Sequence, residues 1–451
     1  MLNHLKMDEN QRISETNLTD VFYSGIKSDD VVLQKNVGIE FEKLPVKNSD
    51  FKAVTYFDIA KFIQKYQKEF GVYIEENNAI LGLKGNIGSI SLEPGSQTEI
   101  SLHPVDNLLQ AQKILDNYNK KTAKIVEELG FSWLGYGIQP VSTYRSINVI
   151  PKKRYEYMTK YLPTVAKKPL IMMRETAGIQ ASFDYCSEED AIRKFAFALK
   201  LSPIISAIFS NSPIRNGRLT KYKSNRAASW LETDNSRCGL VGQKAFNGEF
   251  SFGDYAQILL DVPMIFIERE IEGVRTFIKV ENLTFRQFLK DGYDVFYATK
   301  KDWETHLSLY FSDVRFKNYI EIRNQDNQRS DLVCAVPALW KGLIYNESAM
   351  SAVNDLLKNF NYFDMSYLRK ILPQKGLNVK IKGHMLSDYA RELVDISYNS
   401  LKTYNNQEEK LLEPLKVLVD KGVTPADVII QKWNNEWNQD ISKLVEYCQL
   451  T

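Results

Sequence analysis

Short segments in which apolar and polar residues alternate predict β-strands with two distinct faces. The first convincing strand opens within residues 31–44 and contains Gly38-Ile39-Glu40-Phe41-Glu42. On a strand, Ile39 and Phe41 face the core, whereas Glu40 and Glu42 lie side by side on the opposite face. The same reasoning predicts further strands over residues 80–83, 90–92, 178–184 and 318–323.

Apolar residues at helical spacing separate these strands and dominate the chain beyond Pro337. Short turns between neighbouring strands favour antiparallel pairing. The pattern therefore predicts an α+β fold with a mainly antiparallel sheet, surrounding helices and a helical C-terminal region. We expect three parts: a polar N-terminal lead-in over residues 1–30, an α+β domain over 31–338, and a helical region over 339–451 that packs on that domain.

The charges of the chain nearly cancel, with 58 Lys and Arg against 56 Asp and Glu in 451 residues. This balance gives no electrostatic argument for a nucleic-acid partner or an anionic membrane surface. No apolar run approaches about 18 residues, and the first 20 residues lack an apolar signal core, so we expect a cytoplasmic protein without membrane contact. The four cysteines lack metal-ligand spacing and indicate neither a zinc site nor a disulfide framework.

Carboxylates recur on the polar faces of the predicted strands. Glu93 precedes a Pro-Gly turn, and Glu99 follows it with the parity of a returning strand. Carboxylates held close together repel each other and are most easily tolerated around a cation, and oxygen ligands suit Mg²⁺ or Mn²⁺. The plainer alternative is a set of solvated strand faces. The candidate ligands of a divalent metal are Glu40, Glu42, Glu93, Glu99, Gln180 and Glu321.

Arginines close to these acids in the sequence suggest an anionic substrate. Arg323 shares a strand face with Glu321, where it would either neutralise a transferring phosphoryl group or form a salt bridge to Glu321 or Asp326. The chain has no Walker A phosphate loop, and its dispersed histidines give no support for a Cys-His nucleophile. Three further arginines are candidates for binding carboxylates, with ordinary surface charge as the alternative: Arg154, Arg226 and Arg237.

Longer motifs connect these single residues over nearly the whole chain. They include Val37-Gly-Ile-Glu-Phe-Glu-Lys43, Ser89-Ile-Ser-Leu-Glu-Pro-Gly95, Ile150-Pro-Lys-Lys-Arg-Tyr155, Asp261-Val-Pro-Met264 and Cys334-Ala-Val-Pro-Ala-Leu-Trp340. In these motifs the chain resembles the glutamate-cysteine ligases of the plant and proteobacterial type. The resemblance implies a catalytic domain similar to that of glutamine synthetase, with a curved, mainly antiparallel sheet that holds divalent metals and ATP.

The resemblance also implies an activity and roles for individual residues. In this family ATP phosphorylates the γ-carboxylate of glutamate, and the amino group of cysteine then attacks the γ-glutamyl phosphate, which is the first step of glutathione synthesis. Arg323 and Glu321 match the catalytic positions, and the six candidate ligands match the metal positions. Arg154, Arg226, Thr176 and Ile265 match positions of the substrate site. We expect Mg²⁺ or Mn²⁺ as cofactor, with a monomer or weak homodimer acting on glutamate, cysteine and ATP.

Three departures from the family pattern lie close to these positions. Ser96 stands where the pattern has a second glycine, and Ile265 replaces an aromatic residue, which would reshape the pocket for the acceptor amine. Glu175 stands where the family commonly has arginine, with Arg174 beside it on the other face of the expected strand. The alternatives are therefore a related ligase that joins glutamate to a different amine, or a binding protein that keeps the fold without the activity.

Overall fold

The computed structural model describes residues 12–271 and 274–451. Its centre is a nine-stranded sheet in which every neighbouring pair of strands is antiparallel. Across the sheet, the strands at residues 314–316, 320–326, 178–183, 37–47, 98–105, 88–92, 79–85 and 71–76 follow one another in this order. The strand at residues 131–134 pairs with the far end of the strand at 37–47, at residues 44–47. The mainly antiparallel α+β fold with surrounding helices and a helical C-terminal region is confirmed.

Nine of the strands build this sheet, and the others form small two-stranded pairs. The strands are β1 (Val37–Lys47), β2 (Gly71–Glu76), β3 (Ala79–Gly85), β4 (Gly88–Leu92), β5 (Thr98–Val105), β6 (Phe131–Leu134), β7 (Gly178–Phe183), β8 (Ile214–Arg215), β9 (Arg218–Leu219), β10 (Cys238–Gly239), β11 (Phe266–Ile271), β12 (Val274–Lys279), β13 (Phe311–Ser312), β14 (Val314–Phe316), β15 (Ile320–Asp326), β16 (Lys380–Ile381) and β17 (His384–Met385).

The helices cover the sheet and form the C-terminal region. They are α1 (Asp20–Tyr23), α2 (Asp29–Leu33), α3 (Tyr56–Phe70), α4 (Leu108–Glu128), α5 (Lys153–Val165), α6 (Pro169–Glu175), α7 (Glu188–Ile208), α8 (Asn225–Trp230), α9 (Gln243–Asn247), α10 (Phe252–Leu260), α11 (Phe285–Asp291), α12 (Lys300–Ser308), α13 (Ala335–Ile344), α14 (Glu347–Leu356), α15 (Tyr362–Lys375), α16 (Leu386–Lys402), α17 (Glu413–Asp420), α18 (Pro425–Asn435) and α19 (Ile441–Cys448). Short 3₁₀ helices cover Glu15–Asn17 and Glu408–Leu412.

Two segments differ from the predicted strands. Residues Asp29–Leu33 form a helix, so the first strand begins only at Val37. Residues Pro169–Glu175 form α6, with proline at its first position, where a strand was expected next to Glu175. A short apolar run does not distinguish a buried helix from a buried strand, and proline at the first helical position favours the helix.

The predicted division of the chain into three parts stays a prediction, although the core crosses both proposed boundaries. Phe22 in the lead-in is buried, and its ring packs at a tilt against the rings of Phe252 and Phe316. The boundary between residues 338 and 339 falls inside α13. Within the described residues, no helix is long and apolar enough to cross a membrane.

The last helices close the far end of β1. Trp433 of α18 and Leu444 of α19 pack in one apolar cluster with Leu44 of β1 and Leu134 of β6. A backbone hydrogen bond adds to this contact: the Leu450 amide donates to the Trp133 carbonyl at 2.9 Å. The C-terminal region is therefore part of the support of the central strand.

Candidate active site

A cavity of about 290 Å³ lies over the polar face of β1, β5 and β7. Strand register brings its acidic side chains together: Glu42 pairs with Glu99 across β1 and β5, and Glu40 pairs with Gln180 across β1 and β7. The Gln180 amide nitrogen donates to Glu99 at 3.3 Å. Ile39 and Phe41 on the other face of β1 are buried, as the alternation predicted.

The turn between β4 and β5 carries Glu93 to the same cavity. The Glu93 amide donates to the Gln97 carbonyl at 2.9 Å, and the Gln97 side chain donates to the Thr176 carbonyl at 2.8 Å. Ser96 takes a left-handed conformation with φ of 70°, which explains why glycine suits this position in the family pattern. The Tyr155 hydroxyl lies 3.2 Å from both carboxylate oxygens of Glu93.

Burial and mutual repulsion dominate the electrostatics of this acidic face. Burial and the nearby Glu93 raise the pKa of Glu42 to about 7, although the Gly178 amide donates to its carboxylate. Burial together with Glu40, Glu93 and Glu42 raises the pKa of Glu99 well above its usual value. Burial and Glu321 likewise raise the pKa of Glu40. Nearby cations lower the pKa values of Glu40 and Glu42 but do not outweigh burial and repulsion, so the positive charge around the ionised cluster is insufficient.

This donor set fits a divalent cation. A cation between Glu40, Glu42, Glu93 and Glu99 would compensate their repulsion, and carboxylate and amide oxygens are its preferred ligands. Among the residues that the structure describes, no three Asp, Glu, His or Cys side chains already converge as a closed ligand group. Mg²⁺ does not require one, since it is usually held by one or two carboxylates together with water and phosphate oxygens.

Glu321 has a different environment from the other acids, because it is buried beneath three cations. Its carboxylate accepts from Lys317 at 3.0 Å and from Arg323 at 2.9 Å, and it also pairs with Arg315. Burial alone would raise the pKa of Glu321, but Arg315, Arg323 and Lys317 outweigh burial and hold it well below its usual value. Glu321 does not line the cavity, so its role as a metal ligand stays a prediction.

Arg323 forms the salt bridge to Glu321 that was one of its two predicted roles. Its Nη1 atom also donates to Gln180 Oε1 at 2.6 Å, and its side chain lines the cavity. The neighbouring Glu321 and Glu40 outweigh burial and raise the pKa of Arg323 above its usual range, so it stays charged. A fixed cation therefore faces the acidic cluster across the cavity.

Two arginines on the cavity wall lack carboxylate partners. Arg154 donates to the Ser308 hydroxyl at 3.2 Å, and Arg226 donates to the Arg323 carbonyl at 2.9 Å. The described chain offers neither of them a salt bridge within 4.0 Å, and their buried Nε atoms have no hydrogen-bond partner in it. Burial lowers the pKa of Arg226, which Glu42 partly offsets. Unpaired guanidinium groups on a cavity wall suit a ligand carboxylate.

The remaining substrate candidates divide between the cavity and the core. Thr176 lines the cavity, and its hydroxyl donates to the Met172 carbonyl at 2.7 Å. Ile265 is buried in the apolar core and does not line the cavity, so the structure does not support the predicted change of the acceptor pocket at this position. Arg237 is also buried, and it pairs with Asp234 at 2.6 Å instead of facing a ligand.

Sequence reasoning missed several residues of the cavity wall. Arg315 and Lys317 face the Glu321 side of the site. Arg315 lies on β14 and Lys317 directly follows that strand, and their spacing of two residues shortly before Glu321 was the available signal. Lys152 and Tyr155 lie beside Arg154 at the start of α5. Trp230 and Phe311 add aromatic surface that no acidic motif indicated.

The inverted charge at Glu175 is balanced within the chain. Arg215 binds the fully buried Glu175 carboxylate through two nitrogens, at 2.5 and 2.8 Å. The Tyr144 amide also donates to Glu175 at 2.7 Å. Glu175 therefore fixes the end of α6, directly before Thr176 of the cavity wall.

Solved structures share this fold. Glutamate-cysteine ligase from Francisella tularensis, solved in complex with AMP, superposes with a TM-score of 0.55 and 16% identity over 91% of this chain and 88% of that one. A bifunctional glutathione synthetase from Pasteurella multocida gives a TM-score of 0.50 and 10% identity over 96% of this chain and 53% of that one. The chain therefore shares the fold of these two proteins.

Sequence comparison gives the family. The chain is 32% identical to a chloroplastic glutamate-cysteine ligase from Solanum lycopersicum over 96% of its own length and 82% of the relative's. It is 33% identical to the chloroplastic glutamate-cysteine ligase from Arabidopsis thaliana, over 94% of this chain and 80% of the relative. The model of glutamate-cysteine ligase family 2 matches residues 36–447. The chain belongs to this family of ligases.

Proposed function

We propose that this protein joins the γ-carboxylate of glutamate to the amino group of cysteine at the expense of ATP, through a γ-glutamyl phosphate. This reaction is the first step of glutathione synthesis. The observation that carries the proposal is the pairing of an acidic, cation-deficient face with unpaired arginines around one cavity. The family to which the chain belongs supports the same reaction.

The side chains divide the work between substrate binding and charge stabilisation. Arg154 and Arg226 bind the glutamate carboxylates through their free nitrogens. Arg323 neutralises charge on the phosphoryl group, and its bonds to Gln180 and Glu321 fix its position. Bound Mg²⁺ or Mn²⁺ would supply positive charge next to the ATP phosphates and would be held by Glu40, Glu42, Glu93, Glu99 and Gln180.

Binding of both substrates in one cavity brings their reacting groups close together. Gln97 and Glu175 fix the turn after Glu93 and the end of α6, so the two sides of the cavity keep their spacing. A preorganised site of this kind replaces random encounter in water. An AMP complex of the Francisella ligase supports ATP as the co-substrate here.

A related ligase that joins glutamate to another amine is the second candidate. The departures from the family pattern at Ser96 and Glu175 favour it, because both residues lie beside the cavity wall. The expected state in either case is a monomer or weak homodimer. A cytoplasmic location stays a prediction, since the plant relatives are named chloroplastic.

A coupled assay of ADP release tests the proposal. With Mg²⁺ and ATP present, glutamate and cysteine together should release ADP well above the rate with either amino acid alone. Mass spectrometry of the product should then give γ-glutamylcysteine. A faster reaction with a different amine would favour the second candidate, and the absence of ADP release with every amine tested would contradict both.

A further inference from the structure

We propose that Asp326 is a positioning residue: its carboxylate fixes the start of α8 and thereby aims the Arg226 guanidinium at a carboxylate of glutamate. This inference rests on the proposed function. Asp326 ends β15, is 1% exposed and does not line the cavity that Arg226 and Arg323 share. The sequence suggested a salt bridge between Asp326 and Arg323. Arg323 pairs with Glu321 instead, and the Asp326 carboxylate has other partners.

Three donors converge on the Asp326 carboxylate. The Ser212 hydroxyl donates to Oδ2 at 2.6 Å, the Asn211 amide donates to the same oxygen at 2.9 Å, and the Ser224 hydroxyl donates to Oδ1 at 2.8 Å. An ionised carboxylate only accepts, and a serine hydroxyl has a single proton to donate. Asp326 therefore fixes the direction of both hydroxyl protons.

The two serines transmit this order to α8. Ser224 is the N-cap residue, and its Oγ accepts from the Ala227 amide at 2.9 Å. The Ser212 Oγ accepts from the Arg226 amide at 3.4 Å. Because both hydroxyl protons point to Asp326, the oxygen lone pairs remain for these two N–H groups. Asp326 thus holds the backbone of Arg226 and Ala227 through one intervening hydroxyl each.

The Arg226 guanidinium is held on several sides at the cavity wall. Gly178 pairs with Asp326 across β7 and β15, and a Cβ atom at Gly178 would lie 2.5 Å from Arg226 Nη2. The same nitrogen donates to the Arg323 carbonyl at 2.9 Å, and the Trp230 ring lies 6.0 Å from Arg226 Cζ. Arg226 Nε has no hydrogen-bond partner in the described chain. A guanidinium fixed in this way, with a free nitrogen, suits a ligand carboxylate.

Asp326 also supports the charge of Arg226. Burial lowers the pKa of Arg226, and the carboxylates of Glu42 and then Asp326 act against this shift. Conversely, burial raises the pKa of Asp326, and Arg226 acts against that rise. Glu42 faces the cavity, whereas Asp326 lies outside it. The contribution of Asp326 therefore does not depend on what occupies the cavity.

Two substitutions interrupt the path from Asp326 to Arg226. Asp326→Asn is nearly isosteric, but its amide nitrogen replaces one acceptor, so one of the three donors loses its partner. It should raise KM for glutamate about 10-fold and leave KM for ATP unchanged. Ser224→Ala keeps the carboxylate but removes the hydroxyl that caps α8, and it should also raise KM for glutamate. The two substitutions combined should have little more effect than Asp326→Asn alone, because the two side chains act as one unit.

A double-mutant cycle with Arg226→Ala distinguishes positioning from a purely structural role. In the Arg226→Ala background, Asp326→Asn should change kcat/KM for glutamate by less than about 2-fold. Steady-state ADP release provides the rates, and circular dichroism checks the fold. Asp190→Asn is the matched control, since Asp190 is also buried and accepts from Lys194 at 2.7 Å on α7, away from the cavity. It should lower the free energy of unfolding without changing KM for glutamate.

The outcomes separate the two proposals. If the unsubstituted enzyme ligates glutamate and Asp326→Asn leaves its KM for glutamate unchanged, this inference is overturned and the proposed function stands. The same holds if Asp326→Asn raises KM for ATP equally, or costs the same factor in both Arg226 backgrounds. If the unsubstituted enzyme releases no ADP with any amine, the proposed function fails and this inference fails with it. Ser224→Ala, in the same cycle with Arg226→Ala, decides the question if Asp326→Asn does not fold.

Discussion

Arg323 Nη1 lies 2.9 Å from the buried carboxylate of Glu321, two residues earlier on β15. The same nitrogen donates to Gln180 on the neighbouring strand, so a single guanidinium connects two strands of the sheet. This arrangement fixes the direction of a charge that faces the acidic cluster. It also makes the geometry of the arginine, and not only its charge, important for activity.

Arg323→Lys should therefore lower kcat by about 100-fold. Lysine keeps the positive charge but cannot reproduce a planar guanidinium that bonds Gln180 and Glu321 together. Steady-state kinetics with ADP release as readout measures the effect, and circular dichroism checks the fold. Lys279→Arg, at an exposed ion pair on β12, provides a control for the exchange of these two residue types. Wild-type kcat in Arg323→Lys would contradict the phosphoryl role.

Removal of metal should abolish turnover, and added Mg²⁺ or Mn²⁺ should restore it. Glu99→Gln should raise the Mg²⁺ concentration for half-maximal activity roughly 10-fold, because the amide removes one charge from the cluster. Titration of activity with free Mg²⁺ after chelation measures this change. Glu128→Gln, an exposed substitution on α4, should leave the titration unchanged. Full activity in the presence of excess chelator would contradict a metal requirement.

Arg215→Ala should lower the free energy of unfolding by about 3 kcal/mol. The substitution leaves the Glu175 carboxylate buried with only the Tyr144 amide as a partner. Adding Glu175→Gln should recover part of this loss, because the neutral amide no longer needs the cation. Urea unfolding of both single variants and the double variant measures the coupling. Strictly additive effects would show that the two side chains do not interact.

Stability should fall as pH falls from 7.5 to 5, through His306. This side chain is buried with its Nε2 atom 2.8 Å from the Leu259 carbonyl, and burial lowers its pKa to about 4. In the unfolded chain, His306 therefore binds a proton once the pH falls below its usual pKa of 6.5. In the folded chain it stays neutral down to a pH of about 4. Over this interval the difference amounts to about 2 kcal/mol.

Urea unfolding at several pH values, compared between the wild type and His306→Gln, isolates this contribution. Glutamine does not titrate, so the variant should lose about 2 kcal/mol less between pH 7.5 and 5. The comparison is needed because the raised pKa of Glu42 has the opposite effect: it makes the free energy of unfolding rise as the pH falls. Equal slopes in the two proteins would contradict the prediction.

The alternation of apolar and polar residues along the strands allowed several residues of the site to be predicted from the sequence. Glu40 and Glu42 share a face because the side-chain period of a strand is two, and this relation needs no knowledge of the fold. Glu99 and Gln180 were also placed on polar strand faces by their sequence, but their pairing with Glu42 and Glu40 depends on which strands are neighbours. The turn at Glu93 was also visible, because Pro-Gly restricts the backbone.

The errors of the sequence analysis concern contacts between distant positions. Nothing near Glu175 indicates that Arg215, 40 residues later, neutralises it. Ile265 matched a substrate position in the motif, but its place in the core depends on how β11 and its neighbours pack. The α6 segment was too short for periodicity to identify it as a helix. Such features arise from tertiary packing, which local pattern does not determine.

The contact between α19 and β6 has a consequence for the order of folding events during protein synthesis. The apolar cluster behind β1 includes Leu444 and Cys448, and the Gly135 amide donates to the Cys448 carbonyl at 2.8 Å. A ribosome releases residues 441–450 long after it has released the acidic strands. The central strand therefore emerges hundreds of residues before the helix that packs behind it, and this part of its support can form only after residues 441–450 have left the ribosome.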